Sequence, residues 1–405
     1  MVRFVFVTDS WPILGLPIQT QKSSTTWFYY SAYIAMGLTM ASMGPTLSGL
    51  AKHTQSTLSQ ISWLFTARGF GYLAGSLVSG RWYDRVPGHP LMVGAMIAMV
   101  ATMGLTPVVP VLWLLVAVMF LLGTAEGALD VGGNTLLIWI YGIQVAPFMS
   151  ALHFFFGVGA FLGPLIVSRL VSLSGDILWP YWVLALLIAP VALGLSRLPS
   201  PAPQREADDG GEKPVDNRLV ILMVLFFFLY VGAEVGYGGW IYTYTTASHL
   251  GDGMMAGYLN SAFWGAFTLG RLLSIPLSAR LKPQTILLGG LFGCLASVGV
   301  VLTNPGSVGG IWTGSLGAGF FMAPLFPVAM NLAGSRMAMT GRITGWFFVG
   351  SGAGGMFFPW LIGQWFEGIG PWITMAVIAA DVVVTAGVVM LFSAWSEEPA
   401  LEELA

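Results

Sequence analysis

Long apolar segments recur along the whole chain and are separated by short polar breaks. A transmembrane helix needs about 20 predominantly apolar residues. Twelve segments reach this length, so the pattern predicts an all-α membrane protein with twelve spanning helices. Their predicted bounds are 27–52, 59–80, 90–108, 111–139, 147–172, 178–198, 218–248, 254–280, 284–303, 308–334, 339–367 and 371–395.

A charged, proline-rich segment at 199–217 separates the sixth predicted helix from the seventh. Its composition excludes burial in a membrane, which makes it a cytoplasmic linker. It divides the chain into an N-terminal six-helix bundle at 27–198 and a C-terminal one at 218–396. We expect a cytoplasmic or interfacial tail at 1–26 and an acidic cytoplasmic tail at 397–405.

The two predicted bundles repeat each other at an offset of 195 residues. The matched positions include Gly75 with Gly270, Arg85 with Arg280, Gly159 with Gly354, and Pro164 with Pro359. Because the offset covers an even number of spans, the two repeats have the same topology in the membrane. Secondary transporters with parallel repeats bind substrate between the two halves, near the midplane of the bilayer.

Charge is scarce and unevenly placed. Charged residues make up 8% of the chain and hydrophobic residues 56%, whereas soluble domains carry about 25% charged residues. These values exclude a water-soluble enzyme, a nucleic-acid binder and a disordered chain. In the predicted topology, most of the 16 Lys and Arg residues lie on the same side of the membrane as the N-terminus. This bias predicts a multi-pass protein of the plasma or inner membrane with both termini cytoplasmic.

The sequence contains no nucleophile–base set and no metal-ligand cluster, so we expect no enzymatic activity. We also expect no cofactor other than a coupling ion, H⁺ or Na⁺. The expected partners are a small-molecule substrate and the lipid bilayer, with no nucleic acid, and the expected state is a monomer.

Ionisable side chains inside the predicted spans are candidates for function, because each costs roughly 2.5–3.5 kcal/mol to insert. If the histidine is neutral, the set contains two basic groups and four acids, so at least two acids have no basic partner inside the spans. Such a surplus suits coupling to a cation; the alternative is that some acids are protonated structural donors. The set is Arg68, Glu126, Asp130, His153, Glu234, Arg271 and Asp381.

The fourth helix carries Glu126, Asp130 and Asn134 at i, i+4 and i+8, on one face. Two carboxylates one turn apart disfavour joint ionisation, which suits proton exchange. If Na⁺ is the coupling ion, Asp130 and Asn134 could ligate it. Asn134 is also a candidate for binding the substrate. His153 lies at a similar depth on the fifth helix, so we expect it near Asp130, either in coupling or in a hydrogen bond that ties the hairpin.

The seventh helix carries several glycines around Glu234, which predict a weakened or broken helix that exposes backbone to substrate. Tyr230, Tyr237 and Tyr244 recur every seven residues, with Trp240 among them. Aromatic rings with polar tips suit a sugar, so Tyr237, Trp240 and Tyr244 are candidate substrate contacts and Glu234 a candidate coupling acid. The alternative is ordinary small-residue helix packing.

Four further residues complete the candidates. Arg271 could bridge the two halves as a gate or form a salt bridge to Glu234. Asn331 and Gln364 are candidates for binding substrate hydroxyls. Asp381 stands alone in the last helix, and we expect a buried structural hydrogen bond there.

The loop at 80–89 has the sequence GRWYDRVPGH and resembles the signature loop of the major facilitator superfamily. The resemblance implies that Asp84, supported by Arg85, caps a helix of the other half and locks the inside gate. The loop departs from the family pattern because Pro87 adds a residue and His89 alone replaces the basic run.

Other segments resemble the sodium-dependent glucose transporter and fucose permease-type branch of this superfamily. They are 129–134, 151–154, 232–241, 258–276 and 282–283. This resemblance implies the major facilitator fold, with two pseudo-symmetric six-helix bundles, and sugar symport.

The fucose permeases carry an acid, three residues and Asn in the fourth helix, and that acid takes part in proton coupling. Asp130 and Asn134 match this pattern. The other coupling acid of those permeases lies in the first helix, which has no acid here. Glu126 and Glu234 are the candidates for its role.

The leading hypothesis is a secondary active transporter that takes up a monosaccharide such as glucose with H⁺ or Na⁺ by alternating access. Asp130 would carry the ion together with Glu126 or Glu234. An alternative is a proton-coupled exporter of lipophilic or drug-like compounds. A transceptor that signals without transport would need a soluble output domain.

Overall fold

The computed structural model describes residues 18–201, 217–337 and 341–395, which form helices joined by short connections. The acidic tail at 397–405, most of the predicted linker and residues 1–17 of the predicted N-terminal tail lie outside the described residues.

The N-terminal half has one long helix for each of its predicted spans, plus a single-turn helix after the first. Its helices are α1 (Ile18–His53), α2 (Leu58–Ile61), α3 (Trp63–Tyr83), α4 (Gly88–Leu105), α5 (Leu112–Tyr141), α6 (Ala146–Ser174) and α7 (Leu178–Leu195). Helix α1 begins at Ile18, inside the segment predicted as a tail, so its first turns extend the first span.

The C-terminal half repeats this arrangement. Its helices are α8 (Asn217–Ala247), α9 (Gly253–Ser278), α10 (Pro283–Thr303), α11 (Val308–Met322), α12 (Leu325–Arg336), α13 (Gly341–Ile369) and α14 (Ile373–Trp395). Helices α11 and α12 together occupy the tenth predicted span. They are separated at Ala323 and Pro324, because proline lacks the N–H that would continue the helical ladder.

Eight helical segments among the described residues are long and apolar enough to cross a membrane by length and composition. Helices α1, α3, α9 and α13 are long but too polar to be among them. All four pack against the opposite half: α1 against α8, α3 against α13, and α9 against α6. A helix covered by protein can carry more Gly, Ser, Thr and Tyr than a helix that faces lipid.

The prediction of a broken seventh helix is wrong, because α8 runs without interruption from Asn217 to Ala247. Its glycines instead make room for aromatic rings of neighbouring helices. Gly232 packs against Phe358, Gly238 against Trp264, and Gly239 against Phe65. The alternative, small-residue helix packing, describes this segment.

The repeat seen in the sequence recurs in the helix contacts. Glycines at equivalent positions of the two halves allow equivalent helix pairs to approach until a Cβ would collide with a backbone carbonyl. The pairs are Gly75 with the carbonyl of Thr124, Gly270 with that of Phe320, Gly159 with that of Ile34, and Gly354 with that of Phe228. The described helices therefore form two pseudo-symmetric bundles.

The two halves are joined at one end of the molecule, here called the closed end, formed by residues 58–65 and 360–367. The hydroxyl of Ser59 donates to Gln364 Oε1 at 2.8 Å, and Gln364 Nε2 donates to the carbonyl of Ser59 at 3.0 Å and to Ser62 Oγ at 3.1 Å. The backbone N–H of Leu58 donates to Glu367 Oε1 at 3.0 Å. These bonds tie α2 of one half to α13 of the other.

Helices α3 and α13 stay in contact from the closed end as far as Leu73 and Gly352. Farther along, Trp82 and Trp346 are 55% and 51% exposed. We call this opposite side the open end. Asp84 lies here, exposed, at the residue that ends α3.

Candidate functional site

Helices α3 and α5 touch through glycines on both sides. A Cβ on Gly71 or Gly75 would collide with a carbonyl of α5, and a Cβ on Gly123 or Gly127 with a carbonyl of α3. This is the spacing of small residues at every fourth position that permits close helix contact in membranes. The side chains that flank these glycines therefore reach directly from α3 to α5.

Arg68 and Glu126 form a buried ion pair between these two helices. Arg68 Nε donates to Glu126 Oε2 at 2.7 Å, and Arg68 Nη2 donates to Glu126 Oε1. Arg68 Nη1 also donates to the carbonyl of Met40 at 3.3 Å. The side chains are 11% and 6% exposed. Glu126 thus has its own cation, and Arg68 acts as the neutralising partner of an acid.

One turn farther along, Asp130 accepts hydrogen bonds from three helices. The Tyr33 hydroxyl of α1 donates to Oδ1 at 2.6 Å, and the Tyr72 hydroxyl of α3 donates to Oδ2. Asn134 Nδ2 donates to Oδ1 at 3.1 Å and to the Tyr33 hydroxyl oxygen at 2.8 Å. We call these four residues the Asp130 cluster. Within the described residues Asp130 forms no salt bridge, so neutral donors stabilise its carboxylate.

His153 lies between the Asp130 cluster and the C-terminal half. Its ring meets that of Tyr33 edge-on, with 5.9 Å between the centroids. It interacts electrostatically with Asp130 and with Arg271 of α9. The predicted approach of His153 to Asp130 is therefore present, with Tyr33 packed between them in place of a direct hydrogen bond.

In the C-terminal half, Tyr230 donates to Glu234 Oε2 at 2.5 Å. Arg271 lies over the ring of Phe267, with its guanidinium carbon 4.5 Å from the centroid, and interacts electrostatically with Glu234. Within the described part of the chain no salt bridge joins Arg271 to Glu234. The expected alternative for Arg271, a salt bridge inside its own half, is thus absent from this conformation.

The aromatic residues predicted to contact substrate are sealed in the interior. Tyr237 shares a 2.8 Å hydrogen bond with Ser315 and stacks on Phe263. Trp240 Nε1 donates to the carbonyl of Pro359 at 2.9 Å, and Tyr244 is 2% exposed. In this conformation they are separate from the Asp130 cluster, and their substrate role stays a prediction.

The remaining candidates lie at three different places. Gln364 belongs to the closed end, whereas Asn331 is exposed on α12. Asp381 is buried, and its Oδ1 accepts a 3.1 Å hydrogen bond from Thr385, whereas its Oδ2 has no partner among the described residues. The roles predicted for Asp84 and Arg85 in gating stay predictions.

For the case of Na⁺ coupling, the sequence predicts a metal site at Asp130 and Asn134. No group of three or more His, Cys, Asp or Glu side chains within the described ranges could hold a metal ion. A Na⁺ ion at Asp130 would therefore depend on neutral oxygens, which Tyr33, Tyr72 and Asn134 could supply.

Two members of the cluster, Tyr33 and Tyr72, were not singled out from the sequence. Tyr72 follows Arg68 by four residues, just as Asp130 follows Glu126. This matched spacing on two packed helices was a usable signal. Tyr33 occupies the first predicted span, which has no acidic residue between positions 27 and 52.

The chain matches the Major Facilitator Superfamily over residues 29–359. It is 30% identical over 373 residues to "Sodium-dependent glucose transporter 1A" of Mus musculus, covering 82% of this chain and 88% of that protein. It is 31% identical over 374 residues to "Sodium-dependent glucose transporter 1" of Homo sapiens, covering 82% and 72%. "Major facilitator superfamily domain-containing protein 4A" of Pongo abelii is 27% identical over 470 residues, covering 91% of both chains.

Solved structures share the fold. A variant of the nucleoside transporter NupG superposes with a TM-score of 0.74 at 15% identity, covering 92% of this chain and 99% of that one. A bacterial homologue of the human lysosomal transporter Spinster, described as inward-facing and unoccupied, gives 0.66 at 14% identity, covering 93% and 96%. The predicted all-α major facilitator fold is thus confirmed. The chain belongs to the Major Facilitator Superfamily and is a membrane transporter rather than an enzyme.

Proposed function

We propose that the protein takes up a monosaccharide such as glucose together with a cation by alternating access, and that Asp130 binds the coupling ion. The observation that carries the proposal is the Asp130 cluster. It holds a carboxylate among neutral donors from three helices, without a basic partner among the described residues. A carboxylate of this kind can take up H⁺ or Na⁺ without first breaking an ion pair.

The path from Asp130 to the other half supports coupling. The Tyr33 hydroxyl donates to Asp130, and the Tyr33 ring meets that of His153 beside the C-terminal half. Binding of a cation at Asp130 competes with this hydrogen bond, so the contacts of Tyr33 at the boundary between the halves differ between the empty and the occupied site. A ligand shifts a conformational equilibrium only through such a difference in interaction between the two states.

The chemistry of the cluster favours a neutral polyhydroxylated substrate. Tyr hydroxyls donate and accept hydrogen bonds, and the Asn amide does both with separate atoms. A site for lipophilic compounds would instead present Phe and Met side chains. The names of the glucose-transporting relatives point to the same substrate class. These features support sugar uptake over the export of drug-like compounds.

The predicted orientation assigns each end of the molecule to one side of the membrane. With both termini cytoplasmic, as the distribution of Lys and Arg predicts, the closed end faces outward and the open end faces the cytoplasm. In this conformation the site would release sugar and cation to the inside. Uptake follows when the halves separate at the closed end, so that the site binds sugar and cation from outside.

Purified protein in liposomes tests the proposal. We expect glucose or another monosaccharide from a labelled panel to accumulate under an inward H⁺ or Na⁺ gradient. Asp130→Asn should abolish accumulation while sugar exchange continues, because the amide keeps the shape of the site but cannot take up the ion. Absence of sugar flux under either gradient contradicts the proposal, and unchanged gradient dependence in the variant removes Asp130 from coupling.

A further inference from the structure

Helix α9 carries buried polar groups that the Asp130 cluster does not use. Asn260, Ser261 and Trp264 are 0%, 1% and 2% exposed. Asn260 Oδ1, Ser261 Oγ and Trp264 Nε1 have no hydrogen-bond partner within the described residues, and neither does Ser168 Oγ on α6. Buried polar atoms are usually paired, so a cluster of unpaired ones requires an explanation. We call these four residues the polar strip.

The polar strip lies where the two halves meet. Gly257 and Gly265 of α9 pack against Ser168 and Phe161 of α6, respectively. Ser261 lies one turn from each of these glycines, on the same face of α9. It therefore faces α6, across the boundary between the halves.

Asn260 lies at the same boundary on the side of α1. Its Nδ2 donates to the carbonyl of Gly238 at 3.0 Å, and Gly44 of α1 packs against that same nitrogen. Trp264 lies one turn farther along α9 and packs over Gly238. The contact between α1 and α8 thus covers one end of the polar strip, and α6 covers the other.

Unpaired polar atoms inside one half, such as Asp381 Oδ2, remain a cost in every conformation. At a boundary that opens they are solvated, or bind a ligand, in the other conformation. From this placement we infer that Ser168, Asn260, Ser261 and Trp264 line the passage that forms when the halves separate at the closed end. There they bind the hydroxyl groups of the incoming solute.

The composition of the polar strip defines the class of ligand. Serine hydroxyls and the asparagine amide donate and accept, and the indole N–H donates beside an aromatic face. All four side chains are neutral, which fits a neutral polyhydroxylated solute better than an ion. This identification of the ligand rests on the proposed sugar transport, whereas the existence of the passage does not.

Labelling with a membrane-impermeant maleimide from the closed-end side tests the passage. Cys294 is the single cysteine of the chain, so Cys294→Ser gives a cysteine-free parent. In this parent we expect Ser168→Cys and Ser261→Cys to react. The matched control is Ser297→Cys, because Ser297 is buried between α10 and α11 within one half. It should stay unreactive.

A disulfide across the closed end tests whether the reaction depends on separation of the halves. Ser59 and Gln364 are hydrogen-bonded across the boundary, so Ser59→Cys with Gln364→Cys should form a lock on oxidation. Oxidation should stop the labelling of Ser261→Cys, and reduction should restore it. The labelling of a variant that carries only the two lock cysteines is subtracted in each case. Lack of labelling at both serine positions, or labelling that persists under the lock, overturns the inference.

Transport from each side tests the binding role. Ser261→Ala removes the unpaired hydroxyl with little change of volume, Trp264→Phe removes the indole N–H and keeps an aromatic ring, and Ser297→Ala is the control. We expect the KM for sugar presented at the closed end to rise roughly two- to tenfold, as for one lost hydrogen bond. The KM for sugar presented at the open end should stay unchanged. Equal changes on both sides, or none, overturn the binding role.

If the parent carries no sugar at all, the proposed function fails, and the labelling alone decides whether the passage exists.

Discussion

The hydroxyl of Tyr33 on α1 donates to Oδ1 of Asp130 on α5 at 2.6 Å, and it does so at the boundary where His153 also contacts the Tyr33 ring. The first helix therefore contributes a neutral donor to the candidate coupling site. One side chain both stabilises the carboxylate and separates it from the histidine that faces the other half.

Removal of this donor should change the coupling ion's affinity. Tyr33→Phe keeps the ring contact with His153 but leaves Oδ1 with one donor fewer. Because hydrogen bonds to charged groups contribute about 1.5–3 kcal/mol, we expect the cation concentration for half-maximal uptake to change roughly tenfold or more. The measurement is gradient-driven uptake in liposomes across H⁺ and Na⁺ concentrations.

Tyr29→Phe is the control for this substitution. Tyr29 lies one turn away on α1 and bonds His89 at 2.7 Å, outside the Asp130 cluster. It should leave the cation dependence as in the parent. A cation dependence that Tyr33→Phe leaves unchanged would show that the donor has no part in ion binding.

Breaking the Arg68–Glu126 pair should destabilise the N-terminal half. Arg68→Met leaves Glu126 buried without a cation, and loss of one partner of a buried pair costs about 3–5 kcal/mol. We expect a lower unfolding temperature in detergent, with partial recovery when Glu126→Leu is added, because the double variant leaves no unpaired charge. Arg169→Ala, at an exposed position, serves as the control. A double variant no more stable than Arg68→Met argues against this account.

A methyl group between α3 and α5 should separate the helices that build the Asp130 cluster. In Gly127→Ala the new Cβ would collide with the backbone carbonyl of Tyr72. Overpacking of this kind costs about 1–3 kcal/mol, and displacement of Tyr72 should also weaken coupled uptake. Thermal unfolding and uptake of the same preparation measure both effects.

Gly94→Ala and Gly104→Ala control for helix propensity, because a Cβ at either position meets no atom within 4 Å. Alanine is the better helix former, so these variants should be neutral or slightly stabilising. If Gly127→Ala behaves as they do, close contact between α3 and α5 is not required.

The helices and the charged candidates could be predicted from the sequence because both depend on local properties. Apolar length predicted the spans, and the spacing of Glu126 and Asp130 placed two acids on one face. Whether the α8 glycines interrupt the helix or make room for neighbouring rings could not be predicted in the same way. A glycine breaks a helix or receives a neighbouring ring depending on the partner, and the partners Phe358 and Trp264 are more than 20 residues away in sequence.

The Asp130 cluster was only half visible for a related reason. Asp130 stands out in the sequence because a carboxylate in a membrane is costly. Tyr33 and Tyr72 do not stand out, because tyrosine is common in apolar segments and its role depends on what its hydroxyl contacts. Neutral donors of this kind emerge once the packing of α1, α3 and α5 is known.

Gln364 should control how long the closed end stays closed. Gln364→Ala removes the hydrogen bonds to Ser59 and Ser62 that join the halves. At about 0.5–1.5 kcal/mol for each of the three bonds, the equilibrium should shift roughly ten- to a thousandfold toward separation at this end. Spin labels on cysteines at the exposed positions Lys52 and Ile369, in the Cys294→Ser parent, report the distance between the halves. The population with the longer distance should grow.

Gln60→Ala is the control, because Gln60 caps α2 within the N-terminal half and should leave the distances unchanged. An unaltered distribution in Gln364→Ala would mean that aromatic packing, such as Trp63 on Trp360 at 5.6 Å, keeps the closed end shut without these bonds.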